Sequence, residues 1–325
     1  MSGTKKAGGG VAGALSGWFL PAWPAARLGV LRFALGAYVL QDLVRVRRPV
    51  LALSGTDPAQ WDPVGVTTWI DGPLSADAWA FTHDATIVVG VLFTLGLFWR
   101  VTAPLFAAFL LFVWTYRVSW QMIYHVHHLA MLHVLVMACA PAAAAVSLDA
   151  TFGRRWRWLT SQPGGRGDSW HYGWPVRLLC IVTTLSYLMA GIAKLQIGGL
   201  DWAAGSNLLD QVAYDGIYKH VLAPDSEQPG DLIGFAYRHS WIMFPLAMGS
   251  LVLESLAPIA LVHRRVGQLW SVATMGMHWG IHLFMNLVFP YPISGMAFLS
   301  FFPVEKLVPR RWHGESELEA GESAA

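Results

Sequence analysis

Charged residues are scarce in this sequence. Asp, Glu, Lys and Arg together account for 13% of the 325 residues, whereas an average soluble domain contains roughly one quarter. Hydrophobic residues account for 55%, so the composition excludes an ordinary water-soluble domain and indicates that lipid is the solvent. The formal net charge is only +2, and the basic residues form short clusters between apolar runs, which argues against nucleic acid as a partner.

Cysteine and nucleotide-binding motifs are also nearly absent. Cys139 and Cys180 are the only two cysteines, and both lie inside apolar segments, where a thiol usually packs as a small hydrophobe. They form neither a CxxC motif nor a disulfide framework. The sequence contains neither a G-x-G-x-x-G pattern nor a P-loop, so we expect no nucleotide cofactor.

Long apolar segments fill most of the chain. Because a helix needs about 20 apolar residues to cross the hydrocarbon, we predict an all-α, polytopic transmembrane helical bundle with about seven to eight spanning helices. We expect a flexible N-terminal arm over residues 1–17, the membrane domain over 18–304 and a disordered tail over 305–325. The predicted segments run Ala25–Leu43, Ala85–Trp99, Val101–Val118, Met122–Ala145, Pro175–Ile197, Trp241–Val262, Val266–Phe289 and, shortest, Ile293–Phe302.

Loop charges predict the orientation of these helices. With eight spans, most basic clusters fall on one side, which the positive-inside rule makes cytoplasmic together with the N-terminus. We therefore expect a multi-pass protein of the bacterial inner membrane. In the external loop 198–240, the run SNLLDQVAYDGIYKHVL places apolar residues at helical spacing, which predicts an interfacial amphipathic helix. This helix could lid an outward-opening site or have no role.

Lys194 is the sharpest candidate for chemistry, because an ionisable group at membrane depth is costly. Thr183, Tyr187 and Gly191 share its predicted helix face, and the small residue leaves room for a flat ring beside the amine. Desolvation disfavours an ammonium, so a neutral amine could act as a general base. Alternatively, Lys194 lies about one turn from the helix end and snorkels to the outer interface.

Two later helices carry further polar groups. Glu254 has no basic residue within two turns on its N-terminal side, so we expect it to pair with Lys194 or a histidine from another helix, or else to be protonated. His278, His282 and Asn286 recur every four residues and should stack on one face. That pattern indicates a polar cavity or a facing polar helix.

A histidine-rich stretch, SWQMIYHVHHLAMLH, offers a possible metal site. Its histidines spread over more than one helix face, although His125 and His128 could share a metal or a proton path. Membrane di-iron oxygenases need a third histidine box, which the sequence does not contain, so we expect no metal. The four histidines are His125, His127, His128 and His133.

Several of these stretches together resemble the HTTM domain, the transmembrane part shared by vitamin K-dependent γ-carboxylases and many bacterial proteins. They are TYRVSWQMIYHVHHLAML, VSLDATFG, YLMAGIAKLQIGGLDWAAGSNLL, LESLAPIALVHRR and MHWGIHLFMNLVFPYPISGMAFLSFF, in the family's order. The resemblance covers most of Gly17 to Pro303. Its most specific part is the Ala-Gly-x-x-Lys-Leu element around Lys194, followed by Asp-Trp.

The resemblance implies a chemistry. The family enzymes oxygenate a reduced vitamin K quinol and use the resulting strong base to deprotonate glutamate, which then adds carbon dioxide. The lysine assigned to quinol deprotonation matches Lys194. We therefore expect Lys194, Glu254 and His278 to be catalytic, and a reduced vitamin K or menaquinone to be bound by Thr183, Tyr187, Gly191, Asp201, Trp202, His282 and Asn286.

Two departures and two alternatives accompany this hypothesis. The carboxylases carry a large extramembrane C-terminal region that helps bind the protein substrate, and its absence after the last apolar segment argues against peptide-glutamate carboxylation. The link from Leu195 to Asp201 is also longer than the family's.

The main alternative is a non-enzymatic membrane partner in export, maturation or immunity of a peptide. Transport, which favours broken helices and inverted repeats, ranks last because no repeat is visible.

Overall fold

The computed structural model describes residues 10–121, 125–152, 157–160, 167–222 and 230–309. Helix accounts for 79% of the structure, and these described residues form no strand, which confirms the predicted all-α class. The α-helices are α1 Val11–Phe19, α2 Ala25–Arg45, α3 Arg47–Ala52, α4 Ala76–Leu95, α5 Trp99–Val118, α6 His128–Ala138, α7 Leu148–Phe152, α8 Arg157–Thr160, α9 Trp170–Ala204, α10 Ser206–Ile217, α11 Ile233–Arg238, α12 Met243–Ser255, α13 Arg264–Met285 and α14 Pro290–Ile293.

Three of these helices are long and apolar enough to cross a membrane: α4, α5 and α9. The chain is therefore a membrane protein. The predicted spans 85–99 and 101–118 correspond to α4 and α5, but the boundary between them lies earlier than expected. Gly96 and Phe98 both adopt left-handed backbone conformations, with φ of 63° and 52°, and a helix cannot continue through such residues.

Other predicted segments are shorter in the structure. The segment 122–145 becomes α6, and its residues 122–124 lie outside the described residues. The segment 293–302 is not one α-helix: α14 ends at Ile293, and a 3₁₀ helix covers Met296–Phe301. Gly295 separates them with φ of 78°, so the backbone turns where a continuous span was predicted.

The structure describes part of each chain end. Helix α1 occupies most of the described end of the predicted flexible arm, and residues 1–9 lie outside the described residues. At the other end, Glu305 forms a two-bond salt bridge with Arg27, at 2.7 Å for each bond. The rest of the predicted tail, from residue 310, lies outside the described residues.

By their internal contacts, the residues form two compact units. The first comprises the chain up to Leu179 together with the part from Pro303 onward, and the second comprises Cys180–Phe302. In the first unit, α2 packs on α4, α4 on α5, and α5 on α6. A Cβ on Gly36 of α2 would meet Thr94 Oγ1 of α4 at 2.3 Å, so the absence of a side chain permits this close packing.

The buried side chain of Arg32 links α2 to the segment that follows α6. Arg32 is 0% exposed and donates to the carbonyl oxygens of Ala142 and Val146, at 2.9 and 2.5 Å. Asp149 accepts hydrogen bonds from the backbone N–H groups of Phe98 and Trp99 at the start of α5. Burial raises the pKa of the Asp149 carboxyl, while these N–H groups and the Arg32 charge oppose that rise. The turns around α5 therefore depend on two buried charges of opposite sign.

Replacing Arg32 with Met should destabilise the first unit by about 2–4 kcal/mol, because two buried carbonyls lose a charged donor and Asp149 loses a nearby cation. The measurement is the unfolding midpoint of the detergent-purified protein. Arg45→Met is the matched control on the same helix, since the Arg45 side chain is 66% exposed and should change the midpoint little. Equal effects of the two variants would contradict this account of Arg32.

Candidate functional site

The second unit contains a buried pair of opposite charges. Lys194 Nζ lies 2.6 Å from Glu254 Oε2, which joins the C-terminal half of α9 to the end of α12. The Glu254 side chain is 7% exposed and that of Lys194 is 22% exposed. Glu254 is therefore paired with Lys194, one of the options that its sequence context left open, and the amine is sheltered rather than extended freely into solvent.

Gly191 brings these two helices close enough to form the pair. A Cβ built on Gly191 would lie 2.7 Å from the backbone nitrogen of Ser255 and 3.0 Å from the carbonyl carbon of Glu254. Real Cβ atoms do not approach backbone this closely, so any larger residue would push α12 away. The position is one turn before Lys194, where a separation would act directly on the ion pair.

Beyond Lys194 the helix α9 bends. Gly199 has φ of 54° and ψ of −141°, a conformation that is essentially restricted to glycine. After this kink the chain turns so that the Trp202 ring faces the amine, with Lys194 Nζ 5.0 Å from the ring centroid. The ammonium thus has a carboxylate as one neighbour and an aromatic face as another, an arrangement that favours a cation in a water-poor place.

One turn before Gly191, a second polar pair lies deeper among aromatic rings. Tyr187 Oη is 2.8 Å from His278 Nε2 of α13. The Tyr187 ring packs edge-on against Trp270 and nearly parallel to Phe298, with centroids 5.3 and 6.0 Å away. Thr183, a further turn back, is fully buried and donates to the Ala297 carbonyl at 3.3 Å. The predicted face of α9 therefore does carry one continuous set of interhelical contacts.

Several buried polar atoms around these two pairs have no hydrogen-bond partner among the described residues. They belong to α12, α13 and the segment after the kink. Such atoms are costly unless water or a ligand satisfies them. The atoms are Ser255 Oγ, Thr274 Oγ1, His278 Nδ1 and Trp202 Nε1.

Not every predicted site residue belongs to this cluster. Asp201 is exposed, because the kink at Gly199 breaks the helical register between it and Lys194. Asn286 is also exposed and follows the end of α13 with φ of 48°, so its backbone leaves the helical register of His278 and His282. His282 is partly buried, and its ring contacts Trp279 with centroids 6.1 Å apart.

The histidine-rich stretch lies in the first unit and spreads out. His125 and His128 are exposed, His133 is buried, and His127 stacks on Trp114 with ring centroids 4.6 Å apart. His127 Nε2 is 3.8 Å from Asp42. Within the described ranges, no three His, Cys, Asp or Glu side chains are placed to hold a metal ion.

Sequence reasoning missed four residues of the site: Ser255, Trp270, Thr274 and Phe298. Thr274 stands one turn before His278, so extending the four-residue spacing backward instead of forward would have found it. Ser255 follows the predicted Glu254. Trp270 and Phe298 carry no local signal, since aromatic residues are common throughout the apolar segments.

The fold and these contacts define a helical membrane protein whose second unit encloses a lysine–glutamate pair beside aromatic rings. The chain belongs to the HTTM domain family, which it matches over residues 21–305. This domain is associated with the transmembrane region of vitamin K-dependent carboxylases. Neither a curated protein nor a solved structure matches the chain.

Replacing Gly191 with Ala should lower the free energy of unfolding by about 1–3 kcal/mol, because the new Cβ overlaps the backbone of α12. Gly280→Ala in α13 is the matched control, since a Cβ there meets nothing within 4 Å, and its midpoint should stay unchanged or rise. Both midpoints are measured by thermal unfolding in the same detergent. A Gly191 variant as stable as the Gly280 variant would contradict the close approach of α9 and α12.

Proposed function

We propose that this protein is a membrane enzyme that acts on a lipid-soluble reduced quinone, of the vitamin K or menaquinone type, with Lys194 as the general base. The observation that carries the proposal is the 2.6 Å contact between Lys194 Nζ and Glu254 Oε2, with the Trp202 ring 5.0 Å from the amine. Family membership supports it, because the domain is associated with vitamin K-dependent carboxylases.

The lining suits a flat, largely apolar ligand with polar edges. Aromatic side chains offer ring faces, and binding sites for such ligands are mostly apolar with a few placed polar groups. The atoms Ser255 Oγ, Thr274 Oγ1 and His278 Nδ1 are buried and lack partners among the described residues. Each could form a hydrogen bond with a ring hydroxyl or carbonyl.

Lys194 can become a base only after it loses a proton, and Glu254 is positioned to accept that proton. Transfer from Nζ to Oε2 converts an ion pair into a neutral amine and a neutral carboxylic acid, so no net charge is created. The Trp202 ring favours the ammonium, whereas poor hydration acts in the opposite direction, because the neutral pair bears neither of the two desolvation costs. The reduced quinone supplies an acidic hydroxyl and the electrons for the later oxidation.

The neutral amine then accepts the hydroxyl proton at Nζ. The ammonium formed in this step stabilises the negative charge left on the ligand oxygen, and it costs little reorganisation because Trp202 and Glu254 already surround it. His278, whose Nε2 is engaged with Tyr187, can orient the ring through Nδ1. We assign Lys194, Glu254 and His278 the catalytic roles on this basis.

The same proposal includes a finer membrane topology. Helices α2 and α13 contain 21 and 22 residues and at 1.5 Å per residue are long enough to cross about 30 Å of hydrocarbon. The shorter α6 and α12, with the segments beside them, would bring the number of crossings to seven, the lower end of the expected seven to eight. We place α10 in the membrane interface and the N-terminus in the cytoplasm of a bacterial inner membrane, as the loop charges indicate.

A second candidate, a non-enzymatic membrane partner in the export, maturation or immunity of a peptide, is favoured by the same ion pair. A buried salt bridge can have a structural role, and removing one partner leaves an uncompensated charge. In that case the peptide or protein partner, and not a quinone, is the ligand. Changing both residues to apolar ones would then preserve function.

Lys194→Ala should reduce oxygen-dependent turnover of reduced menaquinone by at least about 100-fold, the usual size of a general-base contribution. Turnover is followed by oxygen consumption of the purified protein in lipid nanodiscs. Lys306→Ala is the control, because Lys306 is exposed and belongs to the first unit. Unchanged turnover in Lys194→Ala would remove this residue from the mechanism.

The double variant Lys194→Met with Glu254→Leu separates the two candidates. We expect it to fold, with a higher unfolding midpoint than Lys194→Ala alone, because no unpaired charge remains. The enzyme hypothesis predicts that it has no turnover and that the unaltered protein releases a stoichiometric naphthoquinone on solvent extraction. If the double variant still supports export, maturation or immunity of the peptide, and the unaltered protein releases no quinone, the non-enzymatic hypothesis is favoured.

A further inference from the structure

We propose that the segment from Gly199 to Gly205 is a hinged lid that carries Trp202 over Lys194, and that Lys219 clasps the following helix, α10, to the end of α13. The inference rests on the proposed function, since it concerns access to the same amine. It adds a device that controls when that amine can be reached.

Two glycines with positive φ bound the lid. Gly199 has φ of 54° and ψ of −141°, and a Cβ at this position would meet nothing within 4 Å. Conformation alone, and not crowding, therefore demands glycine there, as expected of a hinge that needs open space. Gly205 has φ of 86°, and its Cβ would lie 2.6 Å from the Phe244 nitrogen, so this end is fixed against the start of α12.

Trp202 is the part of the lid that covers the site. Its ring centroid is 5.0 Å from Lys194 Nζ, and Trp202 Cβ lies 3.3 Å from the position of a Cβ on Gly198. The Lys194 side chain keeps 22% exposure with the ring in this place. Moving the ring away would remove a cation–π contact and open one side of the amine.

The clasp lies at the other end of α10. The Lys219 side chain is 3% exposed, and its Nζ donates to the Met285 carbonyl oxygen and pairs with Asp215 Oδ2 at 3.0 Å. Met285 is the last residue of α13, where carbonyl groups lack intrahelical donors and the helix dipole favours a cation. A buried ammonium in the π-helical turn Tyr218–Leu222, which directly follows α10, thus stabilises the end of the helix that carries His278.

Apolar contacts support α10 in the clasped position. Val212 of α10 is buried with Ala236 and Met243, and Phe284 and Met285 of α13 pack against them. The opposite face of α10 is different, since Tyr214 and Ile217 are 69% and 62% exposed. One face therefore holds the helix to the unit, while the other presents apolar surface to the membrane interface, from which a lipid-soluble ligand would arrive.

The lid is tested through the reactivity of Lys194 in the full-length protein. A water-soluble acylating reagent modifies lysine amines, and peptide mass spectrometry gives the rate at Lys194 relative to the exposed Lys306 of the same molecule. Trp202→Ala should raise this relative rate, since it removes the cover. Lys219→Met should raise it about tenfold, which corresponds to ~1.4 kcal/mol in favour of the open lid.

Asp215→Asn is the milder variant and should raise the rate less, because the bond from Lys219 to Met285 remains. Asp210→Asn is the matched control, since Asp210 is an exposed aspartate on the same helix. Rates in Asp215→Asn and Lys219→Met equal to that of Asp210→Asn would overturn the clasp, and an unchanged rate in Trp202→Ala would overturn the lid. Because no quinol is used, a positive result stands even if the turnover experiment fails.

Discussion

The ion pair between Lys194 and Glu254 is the constraint on which the second unit depends. Two charges removed from water are tolerated only when they lie close enough for their mutual attraction to offset the cost of desolvation. The structure provides that geometry with three devices: a glycine that lets two helices touch, a backbone kink that brings an indole ring over the ammonium, and a 2.6 Å contact between the charged atoms. Each device is local, but all three act on one nitrogen.

The first unit handles buried charge in a different way. Arg32 donates to two backbone carbonyls through its two terminal nitrogens, and Asp149 accepts from two backbone N–H groups. These side chains form hydrogen bonds with backbone groups at turns and at the start of a helix, so each charge has a structural role. In the second unit Lys194 and Glu254 bind each other directly, and the Trp202 ring lies 5.0 Å from the amine. We place the chemistry there because this pair brings a possible base, a possible proton acceptor and an aromatic face together.

Sequence patterns predicted the features that depend on one helix. Hydropathy located α2 and α5 within two residues and the central part of α9, which begins five residues earlier and ends seven residues later than predicted. Helical spacing grouped Thr183, Tyr187, Gly191 and Lys194 on one face. The pairing of Glu254 with Lys194 could be named only as one of several options, because it requires the packing of two helices. Asn286 lies outside the regular helix because its own backbone has φ of 48°, and periodicity does not detect such a break. Asp201 was predicted from the family resemblance, and it lies beyond the kink at Gly199.

The hydrogen bond between Tyr187 and His278 gives the site chemical flexibility. If the phenol donates its proton, the imidazole carries hydrogen on Nδ1; if the phenol accepts, Nδ1 offers a lone pair. To change the outward nitrogen from donor to acceptor, the imidazole must lose its proton on Nδ1 and gain one on Nε2 while the tyrosine hydroxyl rotates, and no heavy atom moves. A ring system whose oxygens alternate between protonated and carbonyl forms could remain bound across its own redox cycle.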